Sequence, residues 1–374
     1  MARRSCLWDP PLQGCDRQHG VDLSRPAGEP YMGELLASMR LRPRRLARAG
    51  EKSVDSCPLP IAWIVGSLRK PRPQITLLES LHPRYWGAWL LLGFMWLLGH
   101  LPHAAQQRVG RWLGKLGYAV GGSRRKMANA NIRACFPERS PEEQDALVRD
   151  TFIANSIGMV ECTRSWFGDM TRYRRDLRID GLELLQAGLD RGKGVLLYGG
   201  HFSILDFALP LVDAIHPVAY MYRPNRNKLL DRVIENRRAP YRHDAFSKRE
   251  LHALIAYLQA GNLAWYAFDQ DLGAKHSVFA PFFGVQTATL KTLGWLTRES
   301  GATPLFLSQW RDDHDGHYRL RFREIPDEFP SDDDVQNATI LNAMMEEEIR
   351  RDPAQYLWLH RRFKTRPPGE ASIY

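Results

Sequence analysis

Gly194–Tyr198 (GVLLY) is a short apolar run closed by the pair Gly199-Gly200, and it constrains the fold more than any other stretch of the chain. A run this brief, bounded by glycine, reads as a strand rather than a helix. Ile204–Ala214 has a helical pattern, and Val218–Tyr222 (VAYMY) reads as the next strand. Together they make a βαβ unit, with strands on either side of a helix. The alternation continues, with helix over Arg249–Ala260, strand over Leu263–Phe268, helix over Thr289–Glu299 and strand over Pro304–Trp310. Tyr318–Arg323 alternates Tyr, Leu and Phe with Arg, as a half-exposed strand does, and Val335–Arg350 reads as a final helix. The expected fold class is α/β, a mainly parallel central sheet flanked by helices.

The region before it is helical and partly apolar. Trp86–Gly99 (WGAWLLLGFMWLLG) runs fourteen residues without a charge, and residues 85–102 extend it to eighteen. That length lies between a buried core helix and a minimal bilayer span, so residues 85–102 are a candidate membrane-anchor helix. Tyr85, Trp86 and Trp89 at one end and Trp96 near the other suit an interface, while Lys/Arg on both sides leave its orientation open. In Gln106–Val120, the residues Val109, Trp112, Leu113, Leu116 and Val120 recur at three and four, giving one amphipathic face. Arg108, Arg111, Arg124, Arg125 and Lys126 nearby fit a helix on an anionic surface or an ordinary solvated face. Ser140-Pro141-Glu142-Glu143 is a capping box that should open a long helix towards Trp166.

Charge enters the argument here. The net charge of +10 over 374 residues is unevenly placed: residues 1–75 hold 13 Lys/Arg against 7 Asp/Glu, and 9 of the 24 prolines. That composition reads as a disordered basic extension, with the folded domain expected over 76–374. Its alternative is an arm that binds anionic lipid or nucleic acid through Arg40, Arg42, Arg44, Arg45 and Arg48. Five cysteines at 6, 15, 57, 135 and 162 form no CxxC pair, so they indicate neither a zinc scaffold nor a disulfide framework.

His201 follows the two glycines, and Asp206 comes five residues later in HFSILD. Ligands of α/β folds bind at the carboxyl ends of strands, which is where this pair falls. On one continuous helix the two residues would be about 140° apart, so they meet only if His201 sits in the turn and folds back. Asp206 would then fix the imidazole tautomer, leaving the other nitrogen to take a proton from a hydroxyl attacking an activated acyl group. The plainer alternative is a histidine that caps the helix or satisfies a backbone group. Of the twelve histidines only His201 has Asp at this offset, yet chance supplies about 0.6 such spacings.

Six blocks decide between them: LHPRYW (81–86), NIRACFPE (131–138), GVLLYGGHFSILD (194–206), MYRPNRNKLLD (221–231), FDQDLGAKHSVFAPFFG (268–284) and QYLWLHRRFKTRPPG (355–369). From about Leu81 to Tyr374 the chain resembles the lipid A biosynthesis lauroyl/myristoyl acyltransferases. These lie within the lysophospholipid-acyltransferase-like superfamily, whose signature is His-x4-Asp. The YRPN block and the HRRFKTRP ending are similar to the lauroyl-transferring branch, although many of its members carry Glu where this chain has Asp206.

The resemblance implies an O-acyltransferase that moves a fatty acyl chain, of lauroyl type, from acyl carrier protein to a hydroxyl of a hydroxyacyl chain on a Kdo-bearing lipid A precursor. It implies His201 as general base, Asp206 as its orienting carboxylate and Arg223 as a phosphate ligand, with Arg226 and Lys228 as weaker ones. Asp269 and Asp271 end a predicted strand and would order basic groups or bind a substrate amide. Phe282 and Phe283 would wall the acyl channel, or simply pack the core. Arg361, Arg362, Lys364 and Arg366 would meet lipid phosphate, Kdo carboxylate or the acidic carrier protein. No metal and no cofactor beyond the acyl carrier co-substrate is expected, nor is a nucleic acid partner. The expected place is the cytoplasmic face of the bacterial inner membrane. Transfer to glycerophospholipid or another glycolipid is one alternative, and a non-catalytic basic membrane-binding protein is another.

Overall fold

The computed structural model describes residues 75–222, 224–238, 244–247, 249–313 and 315–374, so the extension expected over 1–75 lies outside it but for Ile75. Helices α1 (Trp86–His100), α2 (His103–Val120), α3 (Gly122–Cys135) and α4 (Pro141–Phe167) come first. Next are β1 (Arg178–Asp180), α5 (Leu182–Asp190), β2 (Val195–Gly199), α6 (Leu205–Asp213), β3 (Val218–Met221), α7 (Lys228–Arg238), β4 (Asp244–Phe246), α8 (Leu251–Gln259) and β5 (Leu263–Ala267). The chain ends through β6 (Ser277–Phe282), β7 (Val285–Leu290), α9 (Leu293–Ser300), β8 (Thr303–Arg311), β9 (Tyr318–Glu324) and α10 (Asp334–Arg351). Short helical turns lie between several of these elements.

Seven strands form one sheet in the order β1-β9-β8-β2-β5-β3-β4. All pairs are parallel except β8 with β9, which is antiparallel. The mainly parallel sheet is therefore as expected. Every residue of β2 is buried, and its side chains alternate between two apolar clusters. Leu196 and Tyr198 join the cluster containing Phe306 and Trp358, whereas Val195 and Leu197 join the one containing Phe207 and Phe322. A strand covered on both faces leaves only its carboxyl end for chemistry.

The capping box at Ser140 forms in both directions. Ser140 Oγ accepts from the Glu143 N–H at 3.2 Å, and a Glu143 carboxylate oxygen accepts from the Ser140 N–H at 2.8 Å. It opens the 27-residue α4, on which α1 and α2 both pack.

The first two helices carry exposed apolar residues. α1 has 15 residues, about 22 Å of helix against a hydrocarbon core of about 30 Å. Among the described residues no helix is long and apolar enough to cross a membrane. On α2 the buried positions are Gln106, Gly110 and Gly114, and the apolar residues Trp112, Leu116 and Val120 are exposed. The reason is close backbone approach: a Cβ on Gly110 would lie 2.6 Å from Ile157 Cα, and one on Gly114 2.5 Å from Ile153 Cα. Small residues, rather than large apolar ones, let these helices meet. Trp86, Leu90, Phe94 and Leu97 of α1 are likewise exposed.

Thr289 and Leu290 are strand rather than helix, since they end the antiparallel β6–β7 hairpin. Its two-residue turn, Phe283-Gly284, has φ of +50° and +74°. Positive φ at both positions is the form that suits strand twist, and it is usually signalled by Asn-Gly or Asp-Gly.

Candidate active site

His201 lies two residues past the end of β2, and Asp269 two residues past the end of β5. These neighbouring strands run parallel with Gly199 opposite Ala267, so continuing the register brings His201 and Asp269 together. Asp269 Oδ1 lies 2.6 Å from His201 Nδ1, and Asp269 Oδ2 accepts the His201 backbone N–H at 2.8 Å. Gly200 leaves the room, since a Cβ there would lie 3.0 Å from Asp269 Oδ2 and 2.4 Å from Met345 Cε. The carboxylate accepts from Nδ1–H and leaves a lone pair on Nε2, where the Gln270 amide nitrogen donates at 3.1 Å.

Burial sets the two groups apart. The Asp269 side chain is 3% exposed and the His201 side chain 23%, so the imidazole can be reached from outside while its carboxylate cannot. Burial disfavours the imidazolium, but the charge and hydrogen bond of Asp269 outweigh it, and His201 titrates above the ordinary histidine value. Burial likewise pushes Asp269 up, and the His201 charge and hydrogen bonds more than reverse that, bringing it down to about 2. Behind Asp269 sits Tyr356, whose phenol is pushed well up by burial and by that carboxylate.

Asp206 is not the partner of His201. It stands in the first turn of α6 and bonds Arg238 at the end of α7, with Oδ1 2.5 Å from Nη2. The Arg238 guanidinium also lies over the rings of Trp166 and Tyr220 at 5.6 and 5.9 Å. His201 stands in the turn before α6 and Asp206 on the helix itself, where its carboxylate meets α7. Only its charge acts on His201, as the least of the influences raising that group.

A strand-end His–Asp pair beneath a parallel sheet can be compared with proteins of known family. Residues 75–365 match the model of the bacterial lipid A biosynthesis acyltransferases. The chain belongs to that family. It is 36% identical over 298 residues to the lipid A biosynthesis lauroyltransferase of Escherichia coli (strain K12), covering 79% of this chain and 96% of that protein. With the palmitoleoyltransferase of the same organism the identity is 35% over 297 residues, covering 79% and 97%. With its myristoyltransferase it is 27% over 295 residues, covering 78% and 91%. The similarity is nearly equal for two relatives named for different acyl chains.

The other site residues expected of this lipid A acyltransferase fall in several places. Arg223 lies outside the described residues. Arg226 and Lys228 are exposed on the turn into α7, which Asn227 caps by accepting from the N–H groups of Leu229 and Leu230 at 3.0 and 3.2 Å. Asp271 accepts from Thr365 N–H at 2.6 Å, Thr365 Oγ1 at 2.8 Å and Gly273 N–H at 2.8 Å. It therefore ties the loop after β5 to the C-terminal segment, and its bonds are to backbone and a hydroxyl rather than to basic groups. Phe282 and Phe283 are buried, with ring centroids 5.0 Å apart, in a cluster with Phe136, Tyr356, Trp358 and Phe363.

The C-terminal basic run splits. Arg361 and Lys364 are exposed, with Arg361 over the Tyr374 ring at 5.7 Å. Arg362 turns inward: it is 2% exposed and donates to Ala288 O at 2.7 Å and Thr289 Oγ1 at 3.0 Å. Arg366 donates to Gln286 O at 2.7 Å and pairs with Glu370. Both arginines fasten the C-terminal segment to β7, so the expected anion role at Arg362 is replaced by a buried strut. Arg238 and Gln270 belong to the site and were not singled out. Arg238 carries no local signal, whereas Gln270 stands between two aspartates that were. Among the described residues no three His, Cys, Asp or Glu side chains gather as a metal site would require.

Proposed function

We propose that the chain transfers a fatty acyl group from a carrier-protein thioester to the hydroxyl of a hydroxyacyl chain on a Kdo-bearing lipid A precursor. His201 is the general base and Asp269 the carboxylate that orients it. The observation that carries this reading is the His201 imidazole itself, held at Nδ1 by a buried carboxylate with a lone pair left on Nε2. The hydroxyl oxygen attacks the thioester carbonyl carbon as its proton passes to Nε2. The tetrahedral intermediate then expels the thiolate, which recovers that proton. No covalent acyl-enzyme and no metal is required. Asp206 and Arg238 brace α6 against α7 beside this centre. The acyl chain runs along the aromatic cluster of Phe282 and Phe283, which reaches Asp269 through Tyr356.

The substrates enter from two sides in this reading. The exposed stripes of α1 and α2, with Trp86, Leu90, Phe94, Trp112 and Leu116, lie in the cytoplasmic face of the inner membrane, where the lipid acceptor resides. Arg125, Lys126 and Arg133 of α3 line an open hollow of about 540 Å³ that suits an acidic carrier protein. Helix α3 holds the segment beside the base. Arg124 donates to Leu359 O and Asn131 to Trp358 O, while Leu357 N–H donates to His201 O. Arg223, Arg226, Lys228, Arg361 and Lys364 are the cations for lipid phosphate and Kdo carboxylate.

The test is reconstitution of purified protein with acyl carrier protein loaded with C12, C14 or C16 chains, and with a Kdo-bearing acceptor. One acyl chain should be added by wild type, and about 10³-fold more slowly by His201→Ala. No product with any donor would defeat this reading, as would unchanged lipid A mass spectra in cells lacking the gene.

A further inference from the structure

We infer that Gln270 is a catalytic residue, the hydrogen-bond donor to the oxyanion that forms during acyl transfer. This rests on the reaction proposed above. Its amide nitrogen lies 3.1 Å from His201 Nε2, on the very lone pair that must receive the substrate proton. A hydroxyl taking that place displaces the amide by about one hydrogen-bond length and leaves its N–H beside the carbon under attack.

Much of the nearby backbone is already engaged. Strand-to-helix turns commonly offer N–H groups to an oxyanion, but here four of them already have partners. His201 N–H donates to Asp269 Oδ2, Phe202 N–H to Gly200 O, Ser203 N–H to Gln355 O and Leu205 N–H to Phe202 O. The Trp265 indole N–H is buried without a partner, but it faces the backbone of Gly199, where a Cβ would stand 2.9 Å from it.

Gln270 is also held in place before the reaction. On one side Asp269 is fixed by two bonds to His201, and on the other Asp271 is fixed by Thr365 and Gly273. A donor positioned in advance is worth most when charge develops, because no reorganisation is needed at that moment. As the C–O bond forms, the carbonyl π pair moves onto oxygen, and Gln270 N–H meets it. The pair returns when the C–S bond breaks.

The experiment compares Gln270→Ala and Gln270→Met with wild type in the reconstituted transfer assay, with Trp265→Phe alongside. A donor to the transition state predicts kcat and kcat/KM falling together by about 100-fold in both Gln270 variants. Acceptor KM, melting temperature and the pH of the acid limb should stay as in wild type. Wild-type or faster turnover in the variants would overturn the inference, making Gln270 a resting-state latch on His201. Loss of turnover confined to Trp265→Phe would overturn it in favour of the indole. An inactive wild type would instead defeat the reaction on which it rests.

Discussion

Two carboxylates stand at the same end of the sheet, each with a basic partner, and they do different work. Asp269 is 3% exposed and holds a histidine whose charge changes near neutral pH. Asp206 is 30% exposed and holds an arginine whose charge does not change. The first pair can move a proton, and the second can only hold two helices. Nearness in sequence favours Asp206, while strand register favours Asp269, and register wins because neighbouring strand ends are fixed by the backbone.

The largest effect expected from breaking this contrast is at His201. His201→Ala should lower turnover by about 10³-fold, the span of general-base catalysis, with the fold retained by far-UV circular dichroism. Next comes Asp269→Asn. The base works only when neutral, so activity falls as pH drops through the His201 value, which lies above that of an ordinary histidine. Removing the Asp269 charge leaves burial, which pulls the other way, so the acid limb should move to lower pH and kcat should fall about 100-fold. A pH–rate profile checks both. A limb that stayed in place would mean that Asp269 does not govern the imidazole.

Asp206→Asn should act mainly on stability. It leaves Arg238 largely buried beside two aromatic rings, at a cost of about 1–3 kcal/mol read by urea unfolding. The acid limb should move down only slightly, since Asp206 is the least of the influences raising His201. The smallest effect belongs to Asp206→Leu combined with Arg238→Met, which removes both charges and should recover at least half of that loss. A limb shift in Asp206→Asn as large as in Asp269→Asn would erase the distinction between the pairs.

The sheet was legible because β2, β3, β5 and β8 are short apolar runs between turn signals, and a buried parallel strand has few other ways to look. The α2 helix and its apolar face were legible, but its contact with α4 was not. Gly110 and Gly114 have no side chain to register in an apolar period, yet they make the contact with α4. The β6–β7 hairpin was missed because its turn is Phe283-Gly284 rather than Asn-Gly. Asp269 was singled out for its place at a strand end, but its bond to His201 spans 68 residues. Such a contact follows from which strands are neighbours, and periodicity along the chain carries no information about that. Arg362 looked like surface charge because its neighbours are charged, although its own side chain enters the core.

The glycines of α2 have a counterpart one residue past Ile157. A Cβ on Gly158 of α4 would stand 1.9 Å from the carbonyl oxygen of Ser203, two residues after the base. The apolar helices are thus joined to α4, and α4 to the catalytic turn, by main chain against main chain with no pliable side chain between. Such a train of contacts works as a height gauge: the elevation of His201 above the apolar stripe is set when the chain folds.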